Sequence, residues 1–124
     1  MKVVIVGNSA AGIAAAENLR NIEPLVKITM VSEENRPPYA RCLIAEVVAG
    51  SASIDSIRYR TDSFYENRGI SLVRGARVNS TDPAGRVISC GEKGEFSYDK
   101  LLLATGSRPV CVEIEGAGME GVFV

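Results

Sequence analysis

The 124-residue chain contains no histidine and only three cysteines, Cys42, Cys90 and Cys111. An odd, widely spaced set is not the disulfide framework of a small secreted domain. Without histidine or a close cysteine pair, neither a structural zinc site nor any other metal is expected. No apolar run approaches the roughly 20 residues a membrane helix needs. The first strand-like run starts at Lys2, leaving no room for a signal peptide. Neither sign of charge prevails: 14 Lys and Arg stand against 15 Asp and Glu, a net charge of −1. No long-range field therefore gathers nucleic acid or an anionic membrane. What is present is ordinary globular material, 46% hydrophobic and 23% charged, which argues against disorder. A chain of this size fits one domain and buries about two thirds of its unfolded surface. The expectation is a soluble, cytoplasmic module with neither nucleic-acid nor membrane partners.

Lys2-Val3-Val4-Ile5-Val6 is a short apolar run, the pattern of a strand buried on both faces of a parallel sheet. The turn Gly7-Asn8-Ser9-Ala10-Ala11-Gly12 follows, then good helix formers from Ile13 to Arg20, closed by Pro24. Val26 to Val31 reads as a second strand, completing a βαβ start. Ser32 to Pro38 is a polar loop, Arg41 to Val48 a predicted helix stopped by Gly50, and Asp62 to Arg68 a second one capped by Thr61. Ile70 to Val73 is a third parallel strand. Ala76 to Thr81, Arg86 to Cys90 and Glu95 to Tyr98 are short β runs separated by turns, an antiparallel meander. Leu101 to Ala104 suits a return to the central sheet, and Thr105-Gly106-Ser107-Arg108-Pro109 leaves it as a tight turn. The fold class expected is α/β: a Rossmann-like dinucleotide-binding fold, its central parallel sheet joined by an antiparallel β-meander, and truncated.

Between the first strand and its helix, Gly7 permits a tight turn and Gly12 lets the helix pack on the strand. The middle position of the fingerprint, usually glycine, is Ser9, whose hydroxyl can meet a phosphate oxygen. Ala11 lies in the same loop, where backbone N–H groups and the helix dipole favour a pyrophosphate. Glu33 lies 21 residues after Gly12, close to the ~20 expected for a carboxylate on ribose hydroxyls. Glu34 is the alternative for that role.

Four segments carry a family resemblance. They are Val4 to Gly12, Pro38-Tyr39-Ala40-Arg41, Tyr98 to Pro109, and Gly116 to Val122. In this order they resemble the N-terminal part of the pyridine nucleotide-disulfide oxidoreductase superfamily. The likeness is to its NADH oxidase, nitrite reductase, ferredoxin/rubredoxin reductase and coenzyme A disulfide reductase branches. The resemblance implies that the first βαβ unit binds the ADP part of FAD, with Glu33 on the adenosine ribose. Arg41 matches a position near the flavin phosphate and isoalloxazine. The Val78 backbone matches the adenine contact, and Ala104, Thr105 and Gly106 match the second FAD motif. Residues 1–109 are then the first half of an FAD-binding domain, and residues 110–124 lead toward a missing NAD(P)H-binding domain. The parent is expected to be an FAD-dependent NAD(P)H oxidoreductase, passing hydride to FAD and then electrons to a small-molecule or redox-protein acceptor. It could form a homo-oligomer, and this fragment alone is expected to be inactive. The reading from another class is a non-enzymatic, NAD-sensing regulatory module. Such modules continue with regular βαβ units after strand three, where this sequence predicts a meander.

Cys42 follows Arg41 at the predicted start of a helix, a setting that favours thiolate. The resemblance leaves two readings of it, because some branches carry a redox cysteine at the matching position and others do not. One is a redox thiol, the other an inert cysteine packing the helix end. Glu46 departs from the lysine that several ferredoxin reductase relatives carry there. Cys90 and Cys111 have no such setting, and Arg58, Arg60, Arg74 and Arg77 read as a solvated surface.

Overall fold

The computed structural model describes residues 1–110 and 113–122. Cys111, and part of the segment read as a connection, lie outside them. Seven strands run in chain order: β1 (Lys2–Val6), β2 (Lys27–Val31), β3 (Ile70–Val73), β4 (Ser80–Asp82), β5 (Val87–Ser89), β6 (Glu95–Ser97) and β7 (Lys100–Leu103). The α-helices are α1 (Ala10–Ile22), α2 (Ile44–Val48) and α3 (Asp62–Asn67). β3, β2, β1 and β7 lie side by side as a parallel sheet, while β4, β5 and β6 form a separate antiparallel one. The register pairs Val4 with Thr29 on one side and with Leu101 on the other.

Alternation along β1 decides what covers the sheet. Val3 and Ile5 face a cluster with Ile13 and Ala16 of α1 and Phe64 and Tyr65 of α3. Val4 and Val6 face the opposite cluster with Val31, Ala76, Ile88 and Cys90. The molecule is thus three layers: helices, parallel sheet, meander. Ile13 and Ile88 are fully buried on opposite sides, and each such side chain contributes about 1.5–3 kcal/mol relative to exposure.

α1 ends where Pro24 foretold a stop, with the Glu23 N–H donating to the Leu19 carbonyl at 2.8 Å. Arg20 then ties that end down, its guanidinium donating to the carbonyls of Pro24, Val26, Arg68 and Gly69. The same face holds Glu17, bridged to Arg68 at 2.8 Å and to Arg60 at 3.3 Å.

Three expectations need correction. Arg41 to Val48 is not one helix: Arg41–Leu43 is a single 3₁₀ turn, and α2 begins only at Ile44. Leu43 sits at φ −100, ψ 5, outside helical geometry, and the β-branched Ile44, Val47 and Val48 propagate a helix poorly. The first meander strand begins at Ser80 rather than Ala76. Ala76 donates to the Ser32 carbonyl at 2.8 Å, holding that stretch against the parallel sheet until Asn79 reaches Ser89. The four arginines are not one solvated set. Arg58 pairs with Asp55 in the open, but Arg60 lies over the rings of Tyr59 and Phe64. Arg74 is mostly buried against Asp62, and Arg77 belongs to the cleft described next.

Candidate functional site

The carboxyl ends of all four parallel strands open into one cleft of about 610 Å³. Ligands of open α/β sheets gather at this edge because the loops there are free to diverge. Those loops are laced together by the backbone. Gly7 donates to Val31, Ser32 to Val73, Ala76 to Ser32, and Ala104 to Val6, each at 2.8 Å.

Gly7 occupies φ +118, and a Cβ there would fall 2.1 Å from the Ala104 carbonyl oxygen. Only glycine permits both the conformation and the contact. The loop after β1 and the turn after β7 are therefore in direct backbone contact. Gly12 answers a second demand: a Cβ on it would lie 2.0 Å from the Gly7 carbonyl oxygen. The first turn of α1 is thereby drawn onto the loop, bringing its N–H groups to the cleft. Ser9 is the N-cap residue in extended conformation, but its hydroxyl makes no capping bond. Both the hydroxyl and the helix-end donors stay available to an anion.

Of the residues picked out from sequence, Gly7, Ser9, Ala11, Glu33, Arg41, Val78, Ala104, Thr105 and Gly106 all line this cleft. Gly12 is buried directly behind it. Glu33 accepts from Arg77 at 2.8 Å, and Glu34 pairs with Arg41, whose guanidinium also lies 5.5 Å from the Tyr39 ring centroid. Cys42 is exposed and is not among the residues that line the cleft. It sits in the 3₁₀ turn ahead of the five-residue α2, so no long helix aims a dipole at its sulfur. Glu46 lies exposed on α2.

The lining residues to which the sequence reading gave no cleft role include three arginines and an asparagine. Arg36, Arg77 and Arg108 join Arg41 in the cleft, and Asn8 lines it beside Gly7. Four arginines against Glu33 and Glu34 leave the lining two positive charges in excess. Arg36 and Arg108 have no ion-pair partner among the described residues. An acidic, doubly charged ligand matches that excess. Arg77 could have been found from its place next to Val78, at the point where the chain leaves β3. Asn8 carried no signal beyond its place between Gly7 and Ser9. Its side-chain Oδ1 accepts from the Tyr65 hydroxyl at 2.6 Å, whereas its Nδ2 is buried without a partner.

The whole chain, residues 1–124, matches the family model described as pyridine nucleotide-disulphide oxidoreductase. It is 36% identical over 122 residues to a probable ferredoxin reductase of Castellaniella defragrans, covering 98% of this chain and 30% of that protein. It is 34% identical to the assimilatory nitrate reductase electron transfer subunit of Bacillus subtilis, covering 98% of this chain and 16% of that one. Among solved structures, the ferredoxin reductase for the CYP199A2 system of Rhodopseudomonas palustris superposes with a TM-score of 0.87 at 27% identity. That match covers 98% of this chain and 30% of the other. The chain spans less than a third of the length of each of these relatives.

Proposed function

The chain belongs to the pyridine nucleotide-disulphide oxidoreductase family, and on that premise we propose that its cleft holds FAD within an NAD(P)H-dependent flavin oxidoreductase. The observation carrying this reading is the meeting of two turns at one edge. The glycine loop after β1 and the Ala104-Thr105-Gly106 turn touch through Gly7, with Glu33 and Val78 lining the same cleft.

The residues present fit such a cofactor. Gly7 and Gly12 let the loop close on the Ala104 turn and the first turn of α1 close on the loop, which leaves the helix-end N–H groups at the cleft. The buried Asn8 Nδ2 lacks an acceptor, and the lining carries two excess positive charges. Gly7, Ser9, Ala11 and Gly12 would hold the pyrophosphate, the Glu33 carboxylate the ribose hydroxyls, and the Val78 backbone the adenine. Arg41, Ala104, Thr105 and Gly106 would lie along the flavin half. Bound there, the flavin supplies hydride and electron transfer, and the protein supplies orientation and electrostatics. Arg77 donates to Glu33 Oε1 at 2.8 Å, and a carboxylate there can accept from two hydroxyls.

Residues 1–109 are read as the first half of the FAD domain and 110–124 as the lead into a nicotinamide-binding domain, so this stretch alone would not turn over. The antiparallel β4–β6 sheet, in place of further βαβ units, favours this reading over an NAD-sensing regulatory module. The acceptor is a small molecule or a redox protein. Relatives named as a ferredoxin reductase and as putidaredoxin reductase joined to putidaredoxin support the latter class. Against it, Glu46 stands where the ferredoxin reductase resemblance expects lysine. Anaerobic addition of NADH or NADPH to the flavin-loaded intact protein should bleach the oxidised flavin absorbance. Retention of full absorbance with both nucleotides would contradict the assignment.

A further inference from the structure

We propose that Tyr65 is a positioning residue for the cofactor's pyrophosphate, acting through Asn8, whose amide N–H₂ is a binding donor. This rests on the FAD reading above. Tyr65 stands on α3, is 3% exposed, and packs edge-on to Phe64 with ring centroids 5.1 Å apart. Its hydroxyl reaches across to the glycine loop and donates to Asn8 Oδ1 at 2.6 Å. Burial raises the Tyr65 pKa above its ordinary value, so the hydroxyl keeps its proton and remains a donor.

That bond decides which way the Asn8 amide faces. With Oδ1 committed to an O–H donor, Nδ2 is fixed on the other branch. There it is buried and unpaired. A buried N–H₂ without an acceptor is costly, and native proteins seldom tolerate one. Here it occurs in the residue between Gly7 and Ser9, on the wall of a cleft with excess positive charge. An anionic oxygen brought to this loop, or a water held by it, supplies the missing acceptor. The other buried unpaired side-chain nitrogen among the described residues, Arg74 Nε, lies outside the cleft lining, on a side chain already paired with Asp62. Phenylalanine would fill the space of the Tyr65 ring equally well. What it would lose is the hydroxyl that orients Asn8.

The test is equilibrium titration of the intact apoprotein with FAD, followed by flavin fluorescence, alongside thermal unfolding of each apo form. Tyr65→Phe should weaken FAD binding about fivefold, one net hydrogen bond, and Asn8→Ala about tenfold. The double variant should be no weaker than Asn8→Ala, because both changes remove one coupled interaction. Asn8→Asp keeps an acceptor for Tyr65 but brings a carboxylate toward the phosphates. It should bind FAD more weakly than Asn8→Ala. Wild-type affinity in Tyr65→Phe or Asn8→Asp, or fully additive losses in the double variant, would overturn the proposal. Failure of the wild-type apoprotein to bind FAD at all would instead overturn the cofactor reading beneath it.

Discussion

Replacing Gly12 with alanine tests how α1 is seated on the loop. The added methyl carbon would lie 2.0 Å from the Gly7 carbonyl oxygen, 3.1 Å from its carbon and 3.4 Å from Ile5 Cγ2. The first of these must open by about 1.4 Å to become an ordinary contact, and the colliding atoms are backbone that no rotamer change can move. Overpacking of this kind costs about 1–3 kcal/mol. Against it stands the better helix propensity of alanine, up to about 1 kcal/mol. Because the clash is with backbone, the upper half of the range applies, leaving a net loss of about 2 kcal/mol. For a chain this long that lowers Tm by about 5–10 °C. Circular dichroism melts of wild type and Gly12→Ala read it directly. An unchanged or raised Tm would mean that helix propensity prevails and that α1 does not rest on the Gly7 carbonyl.

Glu33→Ala should weaken FAD binding by about 1–3 kcal/mol through lost charge-assisted bonds to the ribose; unchanged FAD retention on dialysis in mild denaturant would remove Glu33 from that role. Cys42, exposed, should be alkylated faster at about neutral pH than Cys90, which is 5% exposed and whose thiol is pushed up by burial. Peptide mapping that found Cys90 the faster would contradict the meander packing. The Arg74 guanidinium, hydrogen-bonded to Asp62, holds that carboxyl below its ordinary range. The stability from this pair is therefore complete above the unfolded Asp pKa of about 3.9 and lost as pH falls through the lower folded value. Asp62 is 64% exposed, so Asp62→Asn should shrink the acid-induced loss of stability by no more than about 1 kcal/mol. Urea melts above and below that pH would show it; an identical acid loss in both proteins would refute the pairing.

The parts of the site legible in the sequence are those where backbone geometry dictates residue type. Gly7 at φ +118 against Ala104, and Gly12 against Gly7, admit nothing larger, so the strand–turn–helix pattern announces them. Val3 to Val6, apolar at every position, announces a strand covered on both faces, as the two clusters around it bear out. The meander was legible from its turns, although its first strand starts later because Ala76 is held by Ser32. Side-chain pairings between distant elements leave no local trace. Nothing around Tyr65 points to Asn8, 57 positions away, and nothing around Arg77 points to Glu33, 44 positions away. Arg41-Cys42-Leu43 looked helical because helix signals follow it, but the Leu43 backbone departs from helical geometry just before α2.

The central claim is that this edge of the sheet grips the ADP half of FAD. Its most direct test is the equilibrium binding of FAD and FMN, side by side, to the intact apoprotein. FAD should be retained at one per chain, and FMN, which lacks the adenosine and the second phosphate proposed for Glu33 and the Gly7–Gly12 loop, should wash away. Equal retention of FMN, or no retention of FAD, would contradict it.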